Sequence, residues 1–164
     1  MTDKNENIRK KLDCMGESGN LVRKIMKLWR RIINKQIEEY GITAPQLELM
    51  GAITFLQEEG TETTQIALAL EIDSDPMTTS TIIRNLLKKN LVTRKESTTD
   101  TRARIVDLTD EGYDILAKAT SKILSLHNEI TTDELDDFLV MKHLAVLYNN
   151  LLSLDNNENS VKQV

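Results

Sequence analysis

Residues 75–108 leave this chain few ways to fold. Asp75 can cap a helix, and Pro76 suits the first helical turn, where a missing N–H costs nothing. The helix continues through Lys89, and Asn90 stands where a left-handed residue ends a helix. Two β-rich arms follow, Leu91 to Glu96 and Ile105 to Leu108, around a polar tip that reaches Arg104. At about 100° per residue, Thr79, Ile82, Ile83 and Leu86 cluster on one side of the helix. Met77, Thr81, Arg84 and Lys88 lie opposite, flanked by Thr78, Ser80 and Asn85. One side is therefore a core face, and the other offers hydroxyls, an amide and cations.

Those outward groups bond base edges and phosphates. Overall charge argues the other way, since the net value is −5. Its distribution resolves the conflict. From Pro76 to Arg104 there are seven cations and two anions, which makes this segment +5 and the remainder −10. Local charge governs contact with phosphate, while net charge mainly affects solubility. A polar helix face beside a cationic hairpin suits a protein that reads double-stranded DNA. Within the hairpin, Arg94 lies on the first arm, Arg104 where the tip meets the second, and Arg102 at the tip, where an arginine can enter a minor groove. Asp100 can orient the Arg102 guanidinium through a charge-assisted bond.

The rest of the chain reads as helices that hold this stretch. Residues 1–17 form a polar leader, and residues 18–40 a helix with two adjacent apolar stripes. Leu21, Ile25, Leu28 and Ile32 make one stripe; Val22, Met26, Trp29, Ile33 and Ile37 make the other. Tyr40-Gly41 ends it. Thr43 and Gln46 form a capping box for the next helix, with Pro45 in its first turn. A short helix capped by Thr64 is expected to turn Ile66, Ala67 and Leu70 inward. With the helix after Asp75 it makes a helix-turn-helix outline. Beyond Thr109, Leu116, Ala119, Ile123, Leu126 and Ile130 form a seam. A capping box at Thr131–Glu134 opens a last helix carrying Val140, Leu144, Leu147, Leu151 and Leu154. Such seams pair helices with helices. They imply a dimer interface built from the first helix and residues 110–155, around a DNA-binding lobe at 41–109. Residues 156–164 read as a disordered tail.

The order and spacing of several short pieces resemble the MarR family of prokaryotic winged-helix regulators. These are Gly41-Ile42-Thr43-Ala44-Pro45-Gln46, Gln65-Ile66-Ala67, Pro76-Met77-Thr78-Thr79-Ser80, and Leu86-Leu87-Lys88-Lys89-Asn90-Leu91-Val92-Thr93-Arg94. Asp100-Thr101-Arg102-Ala103-Arg104 and Leu108-Thr109-Asp110-Glu111-Gly112 complete the set. The resemblance implies a mainly α fold with a small β wing: a winged helix-turn-helix lobe, and terminal helices that entwine two copies. It implies a transcriptional regulator, expected here to be a repressor, acting as a homodimer on a pseudo-palindromic operator. A small-molecule effector is expected to relieve it. Carried over by position, Thr78, Ser80, Thr81, Arg84 and Lys88 lie on the recognition helix. Arg94, Asp100, Arg102 and Arg104 lie on the wing, and Thr64 and Gln65 at a helix start that can meet a phosphate. Leu21, Ile25, Ile123, Leu144, Leu147 and Leu151 are assigned to the dimer interface, and Trp29, Tyr40, Met50 and Phe55 to an effector cavity. Many relatives have glycine where this chain has Glu71 and Asn90, which singles out the turn from Glu71 to Pro76.

Other functions find little support. There is no nucleophile elbow, phosphate loop or His-centred triad, so an enzyme is not expected. His127 and His143 lack partners at metal-ligand spacing, and no metal or cofactor is expected. Cys14 offers a redox-sensing alternative, opposed by the acidic neighbours Asp13 and Glu17. A winged-helix protein-interaction module without DNA affinity is the other alternative. No apolar run approaches a membrane span, and the polar N-terminus lacks a signal-peptide core, so a cytoplasmic protein is expected.

Overall fold

The computed structural model describes residues 17–96, 104–130 and 136–161. In chain order the elements are α1 (Glu17–Ile37), α2 (Ala44–Glu58), α3 (Gln65–Glu71), α4 (Pro76–Lys88), β1 (Val92–Glu96), β2 (Arg104–Leu108), α5 (Asp110–Ile130) and α6 (Asp137–Val161). A 3-10 turn, Glu38–Tyr40, follows α1. The fold is mainly α, with one antiparallel two-stranded wing, as the sequence indicates. The chain divides into two units, residues 1–123 and 124–164. The opening of α5 therefore belongs to the first unit, where Ala119 is fully buried.

Three helices of the first unit end in the same way, and each ending uses a left-handed residue. Gly60 closes α2, Asp73 closes α3 and Asn90 closes α4, with φ of 70°, 47° and 57°. In each case the next residue's N–H reaches back five residues: Thr61 to Leu56 O, Ser74 to Ala69 O and Leu91 to Leu86 O, at 2.8–3.1 Å. The left-handed residue's own N–H bonds the carbonyl three residues back. This pairing satisfies carbonyls that a helix end leaves unmatched. Asp73 thus takes the role that a glycine has in a turn of this kind, at modest cost because Asp tolerates the left-handed region.

The core of the first unit joins the end of α1 (Ile33, Ile37) to α2 (Leu49, Met50, Ile53), α3 (Leu68, Ala69) and α4 (Ile82, Ile83, Leu86). Leu91, Val92, Val106 and Leu108 extend it beneath the wing. β1 and β2 pair from Val92↔Leu108 to Glu96↔Arg104. Ahead of α3, buried Thr63 bonds β2 twice: its hydroxyl donates to Val106 O at 2.7 Å, and its carbonyl accepts Val106 N–H at 3.0 Å. The wing base is thereby fixed to the helix-turn-helix. A further strut runs from Tyr113 on α5, whose hydroxyl donates to Gln57 Oε1 at 2.9 Å. Gln57 donates in turn to Asp107 Oδ1 at 3.1 Å, and Lys95 pairs with Asp107 at 2.8 Å.

One expected face is reversed. Ile66 and Leu70 are 71% and 78% exposed, while Leu68 and Ala69 fill the core. Seven residues accommodate two apolar faces at helical spacing. The bonds of Thr63 and the Thr64 cap set the helix phase, and they turn Leu68 and Ala69 inward. The α1 stripes also divide: Ile33 and Ile37 are buried, and Leu21, Ile25, Met26, Leu28 and Trp29 are exposed. The capping box expected at Thr131–Glu134 lies outside the described residues. In the second unit, Leu144, Leu147 and Leu151 of α6 are all exposed.

Candidate nucleic-acid interface

α4 presents the two faces that its sequence calls for. Thr79, Ile82, Ile83 and Leu86 are buried; Met77, Thr78, Thr81, Arg84, Asn85 and Lys88 are exposed, and Ser80 is half-buried. Thr79 also donates its hydroxyl to Asp75 O at 3.0 Å, so it belongs to the frame of the helix. Asp75 Oδ1 accepts the N–H groups of Met77 and Thr78 at 3.0 and 2.9 Å. Hydrogen bonding from Thr78, side chain and then backbone, holds the Asp75 carboxyl below its ordinary 3.8. Because the folded value is the lower one, this stabilisation is complete above 3.8 and disappears as pH falls through the folded value. Asp75→Ala should lower the melting temperature at neutral pH and remove that acid-dependent component. Thermal melts of both proteins across the acid range check this.

The positions named for phosphate contact do other work within the lobe. Thr64 Oγ1 caps α3 by accepting Ala67 N–H at 3.2 Å. Gln65 Nε2 donates to Pro76 O at 3.2 Å, tying the start of α3 to the start of α4. On the wing Arg94 is exposed, Lys95 is paired with Asp107, and Arg104 is paired with Glu96. The Asp107 carboxylate raises the Lys95 pKa, first by hydrogen bonding and then by its charge. Asp100, Arg102 and Cys14 lie outside the described residues. Among the described residues, Arg84, Lys88 and Arg94 carry exposed charge with no ion pair. They form the cationic part of the surface around α4 and the wing.

Residues 31–119 match the family described as transcriptional regulator SarA/Rot, over more than half of the chain. The chain belongs to the SarA/Rot family of transcriptional regulators. This is a MarR-like winged-helix family, so the relationship read from the sequence holds. The chain is 28% identical over 94 residues to an uncharacterised HTH-type transcriptional regulator, YdcH, of Bacillus subtilis. That match covers 57% of this chain and 64% of YdcH. It is similar to S. aureus MepR, solved in complex with DNA, at 26% identity and a TM-score of 0.69, over 82% of this chain and 96% of that one. The fold is also that of a mutant MarR from E. coli complexed with operator DNA, at 23% identity and a TM-score of 0.70, over 81% and 92%. The family and the fold are those of transcriptional regulators and not of enzymes.

Two features of this SarA/Rot lobe escape a sequence reading. Lys89, counted among the cations available to phosphate, donates to Gly41 O at 2.5 Å and to Gln46 Oε1 at 2.8 Å. Gln46 Oε1 also accepts Thr43 N–H at 3.1 Å, and Asn34 of α1 accepts Ala44 N–H at 2.7 Å. A polar chain thus links α1, the start of α2 and the end of α4. Lys89→Met should weaken DNA binding without changing the slope of affinity against salt, because no phosphate contact is lost. Lys88→Met should reduce that slope by about one per half-site. Titrations at several salt concentrations separate the two.

The second feature is a groove of about 860 Å³ along α1, lined by Val22, Met26, Asn34 and the cations Arg23, Lys27, Arg30 and Arg31. None of the four residues assigned to an effector cavity lines it. Met50 is fully buried in the core, Phe55 and Trp29 are exposed, and Tyr40 lies under the Lys122 ammonium at 5.9 Å. Lys122 also pairs with Glu39. Among the described residues no group of acidic, histidine or cysteine side chains is arranged to hold a metal ion. No described helix is long and apolar enough to cross a membrane.

Proposed function

We propose that this SarA/Rot protein is a sequence-specific DNA-binding repressor of the cytoplasm, acting as a homodimer on a pseudo-palindromic operator. The observation that carries this reading is α4. Its inner side is locked into the core by Thr79, Ile82, Ile83 and Leu86, and its outer side exposes Thr78, Thr81, Arg84 and Lys88. A rigid helix with such a face suits a major groove, with the wing at the flanking backbone and Arg102 at the minor groove. MepR, similar along most of both chains, has been solved in complex with DNA. Dimerisation is supported by the exposed apolar residues of α1 and α6, which a lone chain leaves in water. In this dimer Leu21, Ile25, Ile123, Leu144, Leu147 and Leu151 meet the second copy. A small molecule that binds beside α1 relieves repression by altering the spacing of the two α4 helices.

The test is a fluorescence-anisotropy titration of the full chain with DNA from upstream of its own gene and with a shuffled duplex, at several salt concentrations. Expected is tighter binding to the upstream DNA, at a stoichiometry of two chains per site. Equal affinity for both duplexes at every salt concentration would contradict sequence-specific recognition.

A further inference from the structure

Met77 is the most exposed large apolar side chain among the described residues, at 82%. It lies on the outward stripe of α4 with Thr81, Arg84 and Lys88, at spacings of four, three and four. The polar groups around it are already engaged. Pro76 has no N–H, and the N–H groups of Met77 and Thr78 both go to the Asp75 carboxylate. Thr79 N–H goes to Asp75 O at 3.0 Å. The start of α4 therefore has no spare backbone donor for a phosphate, and its cap is an anion. Thr81 donates its hydroxyl to Met77 O at 3.0 Å. With that proton used inside the helix, Thr81 offers a partner only a methyl group and an acceptor oxygen.

We infer that Met77 and Thr81 together read an A·T pair in the major groove, with Met77 packed on the thymine 5-methyl group. Of the four bases only thymine carries a methyl group there, and adenine of the same pair presents an N6–H donor, with thymine O4 between the two. Thr81 Oγ1, left as an acceptor, matches that donor. Cytosine N4–H2 offers the same kind of donor in a G·C pair, so the discrimination against G·C comes from the methyl group, which cytosine lacks. Arg84, one turn further on, holds the guanidinium that does suit guanine or phosphate. This inference rests on the DNA-binding reading above and assigns the specificity of its recognition helix.

The test uses the duplex defined by footprinting on the upstream DNA. Each thymine of a half-site is replaced singly by deoxyuridine, which keeps the base pair and removes only the methyl. Affinities are measured for the wild type, Met77→Leu and Met77→Ala, with melting curves for each protein. Expected is one thymine per half-site where deoxyuridine weakens the wild type by about fourfold, the worth of one buried methyl-sized group. Met77→Leu should keep that discrimination, and Met77→Ala should lose it without a fall in melting temperature. A footprinted site at which no deoxyuridine substitution weakens binding overturns the inference and leaves the DNA-binding reading intact. A loss that persists undiminished in Met77→Ala does the same. Absence of any footprint from the folded protein overturns both.

Discussion

Gly112→Ala should destabilise the winged-helix lobe by about 3 kcal/mol, at the upper end of what overpacking costs. Gly112 is buried in the first turn of α5, where a Cβ would overlap the Leu91 carbonyl oxygen and stand 3.2 Å from its carbon. Leu108 Cδ2 would lie 3.3 Å away. Leu91 has little freedom to retreat. Its carbonyl accepts Thr109 N–H at 3.1 Å, its N–H closes the end of α4 through Leu86 O, and its side chain is buried. Thr109 adds a second constraint: its hydroxyl donates to Asn90 O at 2.8 Å and accepts Gly112 N–H at 3.0 Å. Accommodating a methyl group would therefore separate α5 from the junction of α4 and β1. Urea unfolding checks this: the midpoint should fall with the slope m little changed. A midpoint within error of the wild type would show that the junction yields more easily than its hydrogen bonds imply.

Arg84→Ala should lower affinity for specific DNA by at least about thirtyfold, while the melting temperature stays at the wild-type value. Arg84 is exposed at the middle of the outward stripe and has no ion pair among the described residues. Its removal takes nothing from the core. A bidentate arginine contact is worth about 1–3 kcal/mol per base pair read, and a dimer would make it twice. Arg84→Lys should recover the shared electrostatic attraction but not the specificity, because an ammonium lacks the planar fork of donors. Competition between specific and shuffled duplexes measures both effects. If all three proteins discriminate equally, Arg84 contacts only the backbone.

How much of this was legible in the sequence depended on the range of the forces involved. The caps of α4, its buried face and the two arms of the wing follow from local rules: Asp75 and Pro76 at one end, Asn90 at the other, and β-rich arms around a polar tip. Those signals lie within a few residues of what they control, and the structure reproduces them. The relationship to winged-helix regulators was legible for the same reason, through short pieces in a fixed order. The face of α3 was not legible, because the choice between Ile66/Leu70 and Leu68/Ala69 is made by Thr63, which bonds a strand 43 residues away. The internal bonds of Lys89 are hidden from sequence for a similar reason. Its cation looks free in sequence, and only folding brings Gly41 O and Gln46 within reach. Gln65 likewise turned out to bind the backbone of α4. The left-handed turn at Asp73 replaces the glycine expected near Glu71, and no spacing rule distinguishes it from Ser74 or Asp75.

The assignment of α4 as the element that reads DNA is tested most directly by dimethyl sulfate protection, which reports guanine N7 in the major groove. Protein would be titrated onto the DNA upstream of its own gene, comparing the wild type with Arg84→Ala. Expected are two protected major-groove patches about one helical turn apart, symmetric about a centre, both lost at equal concentration of folded Arg84→Ala. Unprotected guanines under saturating folded wild type, or a pattern unchanged by Arg84→Ala, would contradict that assignment.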